Sequence, residues 1–124
     1  MVSNNIGSDY FASSKLNREQ TRAKNKETLM NIINDDKIAS ADKKSAIKQV
    51  AAMTKISEKE NAAELMLQAK GFENAIVSIS DGNADVVISS EGLTNQQIAQ
   101  IEDIVKRKTG IAADKIVITP VNMK

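Results

Sequence analysis

The sequence contains no cysteine, no histidine and no tryptophan, and Tyr10, Phe11 and Phe72 are its only aromatic residues. Each absence removes a class of function. Without cysteine there is no disulfide framework, which fits either a reducing cytosol or an extracytoplasmic chain that avoids stray thiols. Without histidine and cysteine the commonest general base, the thiol nucleophile and the usual transition-metal ligands are all missing. Three aromatics cannot build the stacking platform that single-stranded nucleic acid requires. There is also no excess of either charge: 17 basic residues face 16 acidic ones, a formal +1, where a nucleic-acid binder usually carries a clear basic surplus. No apolar run approaches the roughly 18–20 residues of a membrane span, and no signal peptide is visible. The opening Met1-Val2-Ser3-Asn4-Asn5 fits a native start, or an excised fragment with a supplied Met.

What is present is helix and strand patterning over a chain long enough to bury roughly 65–70 % of its unfolded surface. Residues 1–8 are polar and expected to be a disordered lead-in. A helical pattern runs from about Asp9 to Asn34, with Ser8 or Asp9 as N-cap. Its apolar stripe is thin at first (Leu16, Ala23, Met30) and widens at Leu29, Ile32 and Ile33, so the helix is expected to pack through its C-terminal half and project its N-terminal half. Ser40 is expected to cap a second helix buried through Ala46, Ile47, Val50 and Met53, with Asp42 favoured by the positive end of the dipole. Ser57-Glu58-Lys59-Glu60 has the form of a capping box that starts a third helix, which Gly71 ends, with Phe72 packing back on the last turn.

Two β-branched runs, Ala75–Ser80 and Ala84–Ser89, flank Asp81-Gly82-Asn83, which is hairpin chemistry. A fourth helix begins at Thr94 with Gln97 completing a capping box and Leu93 stapling onto Ile98. Its inner face is Ile98, Ile101, Ile104 and Val105, and Gly110 ends it. Lys115–Thr119 is the last strand, expected to stop at Pro120. The passage from the second strand through this helix to the third is long enough for a crossover that makes those strands parallel. The pattern predicts an α+β fold in three stretches: residues 1–8, a helical extension over 9–56, and an αββαβ unit over 57–124 with two helices on one face of a three-stranded sheet.

Fragments that resemble chemistry resolve into structure. Ser40-Ala41-Asp42-Lys43, Ser80-Asp81-Gly82 and Lys108-Thr109-Gly110 superficially match the motifs of penicillin-recognising enzymes, but the last should lie on a strand and here ends a helix. Asp81-Gly82-Asn83-Ala84-Asp85 opens like a calcium loop, yet Val86 and Gly92 stand where the sixth-position Gly and the closing Glu belong. A KH-like nucleic-acid module is the alternative binding reading; it needs a G-x-x-G loop, which does not occur. No catalytic residue, cofactor-binding residue or metal ligand is assigned.

Two features on the first helix are left over. Lys15, Arg18, Arg22 and Lys26, spaced three, four and four, form a basic ridge. It reads either as a solvated face or as an electrostatic contact for an acidic partner, and like charges at i,i+4 disfavour an isolated helix slightly. Tyr10 and Phe11 put two of the three aromatics at the helix tip, either folded back on the body or serving as an anchor pair for another protein.

The αββαβ pattern, with Ala69-Lys70-Gly71-Phe72-Glu73-Asn74-Ala75 entering its first strand, resembles the stage III sporulation protein AH family of endospore-forming bacteria. So do Asp9-Tyr10-Phe11, the Arg- and Glu-rich stretch from Lys15 to Glu27, and Ile32-Ile33. The resemblance covers nearly the whole chain. It implies a ring-building-motif fold and a non-enzymatic assembly role in endospore formation. It further implies an ectodomain in the space between mother cell and forespore, anchored in the mother-cell membrane by a span absent from this chain. The implied partner is stage II sporulation protein Q, with possible self-association into the ring of an intercellular channel. Contact residues do not transfer individually from the family. The partner-binding expectation therefore rests on Tyr10, Phe11, Lys15, Arg18, Arg22 and Lys26.

Overall fold

Short β-branched runs separated by tight turns and bracketed by capped helices give, in the computed structural model, β1 (Asn5–Ile6), α1 (Tyr10–Ile33), α2 (Ser40–Ala69), β2 (Ala75–Ser80), β3 (Asn83–Ser89), α3 (Asn95–Thr109) and β4 (Ile116–Met123). The structure describes residues 5–6 and 9–123. The sheet order is β1-β4-β3-β2, with β2 and β3 antiparallel and β3, β4 and β1 successively parallel. The expected parallel relation across α3 is therefore present. The hairpin turn is two residues, Asp81 and Gly82, both at positive φ (52° and 79°), which is the type I′ geometry that matches strand twist. Asn83 already pairs with Ser80, one residue earlier than the sequence pattern places the strand start.

One sheet face is the core. Ala75 and Val77 on β2, Ala84, Val86 and Ile88 on β3, and Ile116 on β4 are buried against Ala63 and Leu67 of α2 and Ile101, Ile104 and Val105 of α3. Each fully buried Val, Leu or Ile contributes about 1.5–3 kcal/mol. The two helices over this face are the arrangement expected from the sequence.

Local signals set the ends of these helices. Thr94 Oγ1 accepts from Gln97 N (3.1 Å) while Thr94 N donates to Gln97 Oε1 (3.0 Å), a complete capping box. At the end of α2, Phe72 N donates to Leu67 O (2.9 Å) and Gly71 N to Gln68 O (3.0 Å), with Gly71 at φ 99°. This is a full Schellman motif, and Phe72 is buried beside it.

Several expectations are corrected. Ser57 starts no helix: α2 is continuous for 30 residues, so the boundary expected between 56 and 57 falls inside it. Nothing between Met53 and Ser57 breaks a helix, and Glu60 turns away from the Ser57 amide toward α1 and β2. Ser40 is the first helical residue, and Ala39 stands at the N-cap. Pro120 does not stop β4, which continues through it to Met123. Ser90 N donates to Val121 O (2.8 Å), so Val121 faces β3 and Pro120, by alternation, turns its ring nitrogen to the outer side of the strand, where no β3 bond is lost. The expected lead-in includes β1, whose Asn5 pairs with Asn122; residues 1–4 and 7–8 lie outside the described residues.

Candidate interaction site

The ridge on α1 is matched by acidic residues at the same spacing on α2. Arg18 and Arg22 are four apart, as are Glu60 and Glu64, and one helical turn brings each pair onto one face. Because α1 and α2 form an antiparallel hairpin, Arg22 meets Glu60 and Arg18 meets Glu64. Arg22 grips Glu60 with both terminal nitrogens, Nη1 to Oε1 and Nη2 to Oε2 (2.9 Å), and Nη1 also reaches Ser57 Oγ (3.4 Å). Arg18 Nη1 donates to Glu64 Oε2 (3.0 Å) and to the Val77 carbonyl (3.0 Å), and stands 3.6 Å from Glu60 Oε1. Lys15 Nζ lies 3.8 Å from Glu64 Oε1.

The carboxylates continue inward to the sheet. Glu64 Oε2 accepts from Val77 N (2.8 Å) and Glu60 Oε2 from Ile79 N (2.7 Å). Glu60 is wholly buried and Glu64 4 % exposed. Burial by itself lowers the pKa of Arg18, but the hydrogen bond and charge of Glu64, with the charge of Glu60, outweigh it and the net shift is upward. For Arg22 the hydrogen bond to Glu60 leads, burial opposes it, and the result is again upward. A group that already titrates near the top of the scale stays charged throughout the ordinary pH range, so these shifts report attraction and not a pH switch.

The six residues expected at a partner surface therefore divide. Arg18 and Arg22 are committed inside the fold, because leaving Glu60 and Glu64 buried without counter-charges would be costly. Phe11 is 4 % exposed and belongs to the interior. Its ring meets that of Tyr10 edge-on at 5.3 Å, so the aromatic tip is folded back, and of the pair only Tyr10 keeps appreciable surface, 36 %. The N-terminal half of α1, expected to project, is thus the half clamped to α2 and β2. Lys15 and Lys26 remain on the surface of the α1–α2 groove. Lys15 shares one stretch of it with Glu19, Asn61 and Leu65, and Lys26 the next with Met53 and Glu58. Leu65 is 66 % exposed, the most exposed large apolar side chain among the described residues.

Sequence reasoning missed Glu60 and Glu64. The available signal was two carboxylates one turn apart beside Ala63 and Leu67, spaced to match the arginines of α1. Among the described residues no group of three or more metal-capable side chains comes together, and no helix is long and apolar enough to cross a membrane.

The fold superposes on a chain of a solved SpoIIQ–SpoIIIAH pore-forming complex with a TM-score of 0.81, covering 93 % of this chain and 99 % of that one at 22 % sequence identity. Stage III sporulation protein AH of Bacillus subtilis (strain 168) is 22 % identical over 108 residues, which cover 87 % of this chain. The chain spans about half (50 %) of the length of that relative. The family model described as SpoIIIAH-like protein matches residues 1–118.

Proposed function

The chain belongs to the SpoIIIAH-like protein family, and from that premise we propose that it is a non-enzymatic assembly module of endospore formation that docks a SpoIIQ-type ectodomain. The observation that carries the reading is the fold: the chain it matches across 99 % of that chain's length belongs to a pore-forming complex with SpoIIQ. In this reading the domain is the ectodomain of a mother-cell membrane protein, works in the space between mother cell and forespore, and self-associates into a ring.

The burial of part of the basic ridge supports one face over the others as the contact surface. Arg18, Arg22 and Phe11 have internal roles, which leaves the outer side of the α1–α2 groove, with Lys15, Lys26 and the exposed Leu65, as the proposed contact face. An exposed leucine beside Lys15, in a groove of mixed charge, suits a partner that supplies an apolar side chain with polar groups around it. The KH-like alternative gains nothing from the structure: the lysines of α1, Lys15, Lys24 and Lys26, stand among acidic residues such as Glu19 and Glu58 and make no basic face.

The test is to mix the purified chain with the SpoIIQ-type ectodomain of the same organism and measure mass by size-exclusion chromatography with light scattering. A species of summed mass is expected. Two separate peaks at tens-of-micromolar concentration would defeat the proposal.

A further inference from the structure

β2 is the outer strand of the sheet, opposite the β1 side, and carries none of the usual protections of an exposed edge. Its sequence, Ala75-Ile76-Val77-Ser78-Ile79-Ser80, has no charge, no proline and no glycine, and it is rich in β-branched residues. That is the composition of a segment prone to add a further strand. The backbone groups of Val77 and Ile79 point away from β3, the direction from which another strand would arrive.

Three of those four groups are occupied by side chains. Val77 N and Ile79 N donate to Glu64 and Glu60, and Val77 O accepts from Arg18. The match is geometric: carboxylates four apart on a helix lie about 6 Å apart along its axis. Outward amides two apart on a strand are spaced by about 6.8 Å. One turn of α2 thus presents acceptors at nearly the repeat of a neighbouring strand. Arg18 and Arg22 neutralise the two buried charges and supply the donor that a neighbouring strand would give to Val77 O.

We propose that Glu60 and Glu64, clamped by Arg22 and Arg18, form a surrogate strand that closes the β2 edge, and that releasing them lets β2 pair edge to edge with β2 of a second copy. The buried Arg–Glu cluster then has a purpose beyond joining the helices. It keeps a strand of adhesive composition out of contact with its own kind, and α1 is the element whose departure would expose it.

The test is site-resolved amide hydrogen exchange, with no SpoIIQ-type partner present, so its result is independent of the proposed function. In the unaltered chain the Val77 and Ile79 amides are expected to be as protected as the paired amides of β3; fast exchange there would overturn the proposal. The variant is Arg18→Ala, Arg22→Ala, Glu60→Ala and Glu64→Ala together, which removes all four charges at once and frees both α1 and the outward amides of β2. In dilute solution Val77 N is expected to exchange at least about tenfold faster, with Ile88 and Val105 unchanged. In concentrated solution its protection should return as a second β2 covers it. An unchanged Val77 rate, or one equally fast at every concentration in a folded variant, would overturn the proposal. If the variant does not fold, the exchange measurement on the unaltered chain decides.

Discussion

Replacing Arg22 by methionine isolates the energetic core of the cluster. Glu60 has no exposed surface; Arg22 holds both its oxygens, and Ile79 N donates to one of them at 2.7 Å. With Arg22→Met the cation left beside Glu60 among the described residues is Arg18, whose Nη1 stands 3.6 Å away and is already shared with Glu64 and Val77. Deleting one partner of a buried ion pair costs about 3–5 kcal/mol. The Arg22 side chain is 23 % exposed, so water reaches the vacated position and the lower end applies, about 3 kcal/mol. For a chain of this size that corresponds to a fall in Tm of about 12 °C. Urea denaturation followed by far-ultraviolet circular dichroism gives the number directly. Adding Glu60→Gln should recover part of it, with a coupling of at least about 1 kcal/mol in the double-mutant cycle. A loss below about 0.5 kcal/mol for Arg22→Met is what an exposed pair gives, and it would refute the reasoning.

The remaining predictions concern the surface pair, the aromatic tip and the helix cap. Arg107→Ala breaks the Asp103–Arg107 pair, whose side chains are both more than 60 % exposed (63 % and 62 %), and should cost less than about 0.5 kcal/mol in the same assay. Phe11→Ala should cost about 3 kcal/mol. Tyr10→Ala, which loses chiefly the edge-on ring contact, should cost no more than about 1.5 kcal/mol, and equal losses would contradict the assignment of Phe11 alone to the interior. Thr94→Ala should lower stability by about 1 kcal/mol, and an unchanged urea midpoint would count against the capping box as a stabilising element.

How legible each element was depends on the range of the interaction that defines it. The hairpin at Asp81-Gly82, the capping box at Thr94 and the Gly71-Phe72 stop were readable because each is set by residues within a few positions of one another. The Ser57-to-Glu60 signal has the same local form but failed. The pattern that suits a helix start is also tolerated within a helix, and Glu60 had a stronger partner 38 residues away in Arg22. The Arg18–Glu64 contact spans 46 residues, so no window of the sequence contains both ends. The basic ridge therefore looked solvent-facing when read alone. Pro120 misled for a different reason: proline ends a strand only where its missing N–H would have joined the ladder, and which edge faces outward is fixed by the sheet order.

Docking through the outer α1–α2 groove, the contact face proposed above, depends on an exposed side chain that takes no part in the Arg–Glu cluster. Isothermal titration of the chain with the SpoIIQ-type ectodomain, with and without Leu65→Glu, tests it most directly. Leu65 is exposed on the groove and outside the Arg–Glu cluster, so the substitution should leave Tm unchanged. Binding is expected to weaken at least about tenfold in the variant, as for an apolar contact at the centre of an interface. Absence of binding, or equal affinity for both chains at equal Tm, would contradict it.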